Sequence, residues 1–197
     1  MPAAARGRPR SESRRRAILS AAAELYAQRG YDGLSMVAIA ARADVGKQTV
    51  YRWWRTKAAV LAECVVEGII RVTPVVAQPS GDVRADLRAW LRESYARLSE
   101  PGAAELFRAL NAAAVTAPEA ARAIEERFTA PLRAALLETL NAGRTAGAIR
   151  ADLDLEALAD LLLARIMFAV VSGESSHAAV ADDVVDVIMR GAGPAPR

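Results

Sequence analysis

Apolar residues recur along most of this chain at spacings of three and four, the period of an α-helix packed on one side. Between residues 11 and 29, Ile18, Ala22, Leu25 and Tyr26 share one stripe. Ser11 or Ser13 is placed to cap the start of that helix and Gly30 to cap its end. Ser35 then precedes Met36, Ile39, Ala40 and Ala43, at i, i+3, i+4 and i+7, which predicts a second, shorter helix. Asp44-Val45-Gly46 reads as a tight turn with Val45 as its apolar plug. A third helix, from Lys47 to Trp54, has only Val50 and Trp54 on its inward side. A fourth, capped by Thr56, is predicted from Lys57 to about Val72.

The segment 73–81, with two prolines and a glycine, breaks the pattern and reads as a linker. Five further helices follow. Residues 82–98 carry Val83, Leu87, Trp90, Leu91, Tyr95 and Leu98 on one broad face, and 103–116 carry Leu106, Phe107, Leu110 and Asn111. A long helix from Pro118 to about Ala142 contains Pro131, which should kink or split it. Residues 155–171, LEALADLLLARIMFAVV, are apolar nearly all round, so the helix needs cover on more than one side. The last helix, about 178–190, places Val180, Val184, Val187 and Ile188 on one face. The expected fold is all-α: a three-helix N-terminal domain with a helix-turn-helix, then a larger helical domain. The boundaries expected are 1–10 for a disordered arm, 11–57 for the small domain and 58–197 for the body.

Composition agrees with this reading. The apolar fraction is 53% and the aromatic fraction only 5%, so helix-favouring alanine and leucine dominate over strand-favouring types. Charge changes the picture more. The net charge of +3 is the residue of two opposed ends. Residues 1–57 hold twelve basic and four acidic side chains, and the remainder holds 14 and 19. A strongly basic end on a mildly acidic body suggests that the end meets a polyanion.

The third helix says how. With Val50 and Trp54 turned inward, Lys47, Gln48, Thr49, Tyr51 and Arg52 point outward. Gln can bond adenine edges, Lys and Arg can bond guanine, and the Thr methyl suits thymine. Lys47, Gln48, Thr49 and Arg52 are therefore the expected base readers. Tyr51 can bond a phosphate while its ring packs on the module, Ser35 lies at a helix start, and Lys57 beside the first amides of the fourth helix makes a phosphate site. In the arm, Arg8 and Arg10 flank Pro9, and an extended backbone there could enter a minor groove.

Residues 15–61 resemble the DNA-binding domain of the TetR (tetracycline-repressor-like) family of transcriptional regulators. The resemblance rests on Gly30-Tyr31, Ser35, Ile39-Ala40, Ala43-Asp44-Val45, Thr49-Val50-Tyr51, Trp54 and Lys57. Asp44 stands where the family usually has glycine, and Gly46 where it often has serine or threonine. The resemblance implies a homodimer, with the two C-terminal helices pairing with their copies; Leu158, Leu162, Ile166, Val180, Val184, Val187 and Ile188 are the candidates for that interface. It also implies a small-molecule effector in the body, for which Trp90, Tyr95, Phe107, Asn111, Phe128, Met167 and Phe168 are candidates. Few ionisable residues fall at inward positions, so the expected effector is hydrophobic.

Other classes fare worse. One cysteine, Cys64, and one histidine, His177, cannot build a disulfide framework or a Cys/His metal site within one chain. No acid–base pair, activated nucleophile or glycine-rich phosphate loop is visible, so an enzyme is not expected, and neither is a cofactor. No apolar run reaches the ~20 residues of a membrane span, and the basic N-terminus lacks a signal-peptide core, so a cytoplasmic protein is expected. The expected function is a ligand-responsive repressor of double-stranded DNA. A helical protein-interaction adaptor, or an activator without an effector, is the alternative.

Overall fold

The computed structural model describes residues 8–173 and 178–192. Residues 1–7, 174–177 (His177 among them) and 193–197 lie outside the described residues. Among the described residues the regular elements are all helical. By contacts the chain divides into two compact units. The first gathers the chain through Val72 with Glu105–Ile124, and the second gathers Thr73–Ala104 with the chain from Glu125 on.

The first unit is built from α1 (Arg8–Arg29), α2 (Met36–Arg42), α3 (Lys47–Trp53) and α4 (Lys57–Val66), with most of α6 (Ala103–Thr116) and α7 (Pro118–Ile124). Its core is formed by Ile18, Leu19, Ala22 and Leu25 of α1, Ile39 and Ala40 of α2, Val50 of α3, and Val60, Leu61, Cys64 and Val65 of α4, all buried. A fully buried aliphatic side chain of this size contributes about 1.5–3 kcal/mol, so the short helices are held by packing and not by their own hydrogen-bond ladders.

Two boundaries differ from the expectation. α1 starts at Arg8, not at Ser11. Proline is favoured in the first turn of a helix, where its missing N–H has no partner to lose, and Pro9 occupies that turn. Arg8 and Arg10 thus belong to a helix, and the extended backbone on which their minor-groove entry was argued is absent. α4 ends at Val66, six residues short of Val72. Gly68 takes a left-handed backbone with φ +71°, and the amides of Gly68 and Ile69 turn back to the carbonyls of Val65 and Cys64 at 3.0 and 2.8 Å. That closure satisfies the last carbonyls and stops the helix.

The second unit contains α5 (Val83–Leu98), a π-helical turn (Glu125–Thr129), α8 (Ala130–Thr145), α9 (Leu155–Ser172) and α10 (Ala178–Ala192). Asp82 caps α5 by accepting from the amides of Arg84 and Ala85 at 3.0 and 3.1 Å, and Asp154 caps α9 in the same way at Glu156 and Ala157. Pro131 divides the expected long helix: the π turn ends at Thr129, and Pro131 lies in the first turn of α8. A wider turn accommodates a residue that lacks the N–H and would clash with the preceding turn. Gly143 lets α8 approach α5 closely, since a Cβ there would lie 2.8 Å from that of Val83.

The linker is strapped to α5. Trp90 donates its indole N–H to the carbonyl of Val75 at 3.0 Å, and the Ser80 amide and hydroxyl donate to Asp86 at 2.9 and 2.5 Å. The aspartates of α10 meet a row of arginines on α5: Arg84 and Arg88 reach Asp186 at 2.6 and 2.5 Å, and Arg92 reaches Asp182 at 2.5 Å. Desolvation acts to raise the Asp186 carboxyl, but the hydrogen bonds and charges of Arg88 and Arg84 outweigh it, so its pKa lies below the ordinary aspartate value.

Candidate nucleic-acid interface

The helix-turn-helix is assembled from local chemistry. Ser35 Oγ accepts the amide of Ala38 at 3.1 Å and starts α2. At its end, the Asp44 amide donates to Ala41 and the Val45 amide to Ala40, at 3.3 and 3.0 Å. This double closure requires a left-handed residue at Asp44, whose φ is +52°. Aspartate tolerates that conformation better than most residues, though less well than glycine. Val45 is half-buried beneath the turn. Gly46 precedes α3 and supplies no side-chain cap, as expected from its lack of a hydroxyl.

α3 presents two faces. Val50 is wholly buried and Trp54, just past its end, is buried too. Lys47, Gln48, Tyr51 and Arg52 are exposed and Thr49 is half-buried, so the five expected contact residues are displayed together on the outer side of one seven-residue helix. The Lys47 ammonium lies 5.5 Å from the centre of the Tyr51 ring, one turn away, an arrangement in which the aromatic face attracts the cation. Trp53 is half-buried and stacks on Trp54 with ring centres 5.7 Å apart. The sequence reading passed over Trp53. Its signal was a second aromatic beside Arg52 on a helix whose inward positions Val50 and Trp54 already filled.

Lys57 is more constrained than expected. Its ammonium donates to the Tyr31 carbonyl at 2.7 Å and sits 4.1 Å from the centre of the Tyr31 ring. It therefore ties the start of α4 to the loop before α2, using one of its three donors. Thr56 caps α4 at the Ala59 amide, 3.1 Å away. Arg42 is held by Glu24 at 2.6 Å, which takes that charge off the cationic surface. Cys64 is buried, its thiol directed at the Leu19 carbonyl 3.3 Å away. Burial, with the nearby charge of Glu63, pushes its pKa up to about 12, so it is a packing residue and not a nucleophile.

The residues expected at a subunit interface divide differently. Leu158, Leu162 and Ile166 of α9 are buried in the core of their own unit. That overturns them as interface residues. The exposed apolar side chains of α9 are Leu161, Phe168 and Val171, at 64, 62 and 70%. On α10 the core takes Ala181, Val185 and Met189, while Val180, Val184 and Ile188 are only partly buried against it and Val187 is 70% exposed. The error has a simple cause: a helix that is apolar all round has no period that tells its inner face from its outer one.

The residues expected to line an effector pocket fall in both units. Trp90, Tyr95, Phe128, Met167 and Phe168 belong to the second unit, and Phe107 and Asn111 to the first. Trp90 and Tyr95 are core residues, Phe128 and Met167 are half-buried, and Phe168 is exposed. The Arg165 guanidinium lies 5.5 Å from the Tyr95 ring centre and 5.7 Å from that of Phe168. No helix among the described residues is long and apolar enough to cross a membrane.

With this geometry in place, comparison with known proteins is informative. Residues 18–64 match the family described as bacterial regulatory proteins, tetR family, and residues 77–188 match the tetracyclin repressor-like C-terminal domain. The chain is 30% identical over 181 residues, 91% of its own length and 90% of the relative's, to an uncharacterized HTH-type transcriptional regulator, YdeS, of Bacillus subtilis. A shorter match, 39% identical over 70 residues (36% of this chain and 34% of the relative), is to an HTH-type transcriptional regulator, Rv1556, of Mycobacterium tuberculosis. Among solved structures, the TetR family transcription regulator SCO0332 aligns with 92% of this chain and 100% of its own, at 28% identity and a TM-score of 0.60.

Proposed function

Because this chain belongs to the TetR family and is a DNA-binding transcriptional regulator, we propose that it is a homodimeric repressor that binds a palindromic operator and is released by a small hydrophobic effector. The observation that carries the reading is α3, whose Val50 is buried with Trp54 just past its end and whose outer side displays Lys47, Gln48, Tyr51 and Arg52. In this reading Lys47, Gln48, Thr49 and Arg52 address base edges in the major groove. Ser35, Tyr51 and the remaining donors of Lys57 hold phosphates and set the register.

Homodimerisation is supported by the apolar stripe of α9. Leu161, Phe168 and Val171, with Ala164 between them, recur at i, i+3, i+7 and i+10, and large exposed apolar side chains in register favour burial against another surface. A two-fold dimer would set two copies of α3 into successive major grooves about 34 Å apart. A hydrophobic effector is supported by the interior. Among the described residues the buried polar side chains are Asp86, Ser94 and Thr139. Asp86 already accepts from Ser80, and Thr139 donates to the Ala135 carbonyl at 3.2 Å. The effector's leverage is its differential affinity for the DNA-binding and released states.

The test is a binding titration of the purified protein on duplex DNA from upstream of its own gene at about 150 mM salt, where counterion release no longer masks specificity. The expected result is a complex of two chains per duplex, formed far more tightly than with random DNA of equal length. Equal affinity for the two duplexes would overturn the reading of a repressor with its operator upstream of its own gene.

A further inference from the structure

α3 is seven residues long and starts at a glycine that offers no side-chain cap. A helix this short cannot hold its own orientation. Val50 and Trp54 bury it, and apolar contact carries no direction of its own. The directional contact at its end is made by the indole of Trp54, whose N–H donates to Glu63 Oε2 on α4. The other oxygen of that carboxylate, Oε1, pairs with the Arg15 guanidinium of α1. Arg15 is completed by Glu67 at 2.7 Å, just past the end of α4, and by Glu12 at 2.9 Å.

We infer that Glu63 is the positioning residue of the DNA-reading helix, holding α3 to α4 through Trp54 and to α1 through Arg15; the inference rests on the DNA reading of α3. Trp54 is 4% exposed, so its N–H has no solvent to turn to and must keep an acceptor. Glu63 is half-buried, and a carboxylate so placed needs a cation, which Arg15 supplies. Burial works against the Arg15 charge, but the hydrogen bond to Glu67 and the charges of Glu63 and Glu67 outweigh it and raise its pKa above the ordinary arginine value. One side chain thus joins three helices. Any rotation of α4 about its axis carries Glu63 with it. α3 must then follow through Trp54, or the indole N–H loses its acceptor. Lys57 ties the start of the same helix to Tyr31, so α4 is gripped at its first residue and again at its seventh.

The experiment uses the full chain. Duplexes selected from a random pool by the wild-type protein serve as the specific probe, and scrambled duplexes of equal length as the control. Glu63→Ala is expected to weaken binding to the selected duplex about tenfold, the effect of stranding one buried donor, and to leave the scrambled duplex within about twofold. Glu63→Gln keeps an acceptor for the indole and is expected to restore most of the loss. The chain has three tryptophans, so the Trp54 indole N–H resonance is assigned by its absence in Trp54→Phe. It should move upfield in Glu63→Ala. The double variant should bind no worse than Trp54→Phe alone, because both changes remove the same bond. Should Glu63→Ala lose its helical circular dichroism, Trp54→Phe carries the test: it keeps an aromatic ring in the core and removes the donor, and the cost of the smaller ring is read separately from its unfolding midpoint. Wild-type affinity for the selected duplex in either folded variant overturns the inference. So does equal loss on both duplexes, an unmoved indole resonance, or additive effects. A wild-type protein that enriches no duplex overturns the DNA reading itself and the inference with it, even where the indole resonance still reports the bond.

Discussion

α3 and α9 are the two helices on which the proposed function depends, and they are opposites. α3 has seven residues, two inward anchors in Val50 and Trp54, and an outer side of polar and cationic chains. α9 has 18 residues, with apolar chains on every side. On α3 polarity separates the faces, so each side chain's direction follows from its position. On α9 the chemistry is the same on both sides, and direction is decided by which neighbours arrive. α5 and α8 pack on it and the core absorbs Leu158, Leu162 and Ile166, leaving Leu161, Phe168 and Val171 outside. A contrast of faces makes a helix legible; uniformity hides its orientation however strong its helical signal.

The widest effects are expected on α9. Phe168→Glu puts a charge into the exposed stripe and should leave a folded monomer by sedimentation, with operator affinity down about 100-fold or more through loss of the second reading head. A Phe168→Glu protein that remains dimeric would move the interface away from this stripe. Leu162→Ala, one turn and a half away on the same helix, should behave oppositely. It should cost about 2–5 kcal/mol in denaturant unfolding while the subunit count stays unchanged. If both variants lose the dimer without loss of stability, the division of α9 into an inner and an outer face fails.

Effects on α3 should be smaller and confined to DNA. Gln48→Ala is expected to cost about 1–3 kcal/mol on the operator and to relax preference at particular base pairs in a selection experiment, with no change in the unfolding midpoint. Equal weakening on specific and random DNA would reassign Gln48 to the backbone. The smallest effect is expected in the turn before it. Asp44→Ala loses a residue type that tolerates the left-handed backbone and should destabilise by about 1 kcal/mol, whereas Asp44→Gly should fold at least as well. A destabilised Asp44→Gly would mean that the aspartate carboxylate, and not its backbone, is what the turn uses.

Much of the small domain was legible in the sequence because its signals are local. Ser35 and Thr56 each cap the helix they precede, Val45 lies under the turn, and Val50 and Trp54 face inward, all as their spacing and chemistry dictate. Where the reading slipped, a competing local device had been missed. Pro9 extends α1 backwards into the expected arm, and the left-handed Gly68 ends α4 before its β-branched tail. Pro131 was rightly flagged, but nothing in its spacing announces the π turn, Glu125–Thr129, that precedes it.

The sequence by itself determined what needs only neighbours along the chain: the all-helical fold, the helix starts and stops, the two-faced α3 and the basic character of its outer side. The tertiary structure alone decided what needs neighbours across it. No periodicity pairs Trp54 with Glu63 and Glu63 with Arg15, 48 positions earlier. None turns the arginines of α5 onto the aspartates of α10, or chooses which of two equally apolar faces of α9 is covered. Hydrogen bonds and ion pairs act over a few ångströms and are blind to separation along the chain. Burial rewards apolar area without regard to which side supplies it. These choices were made only when the helices met.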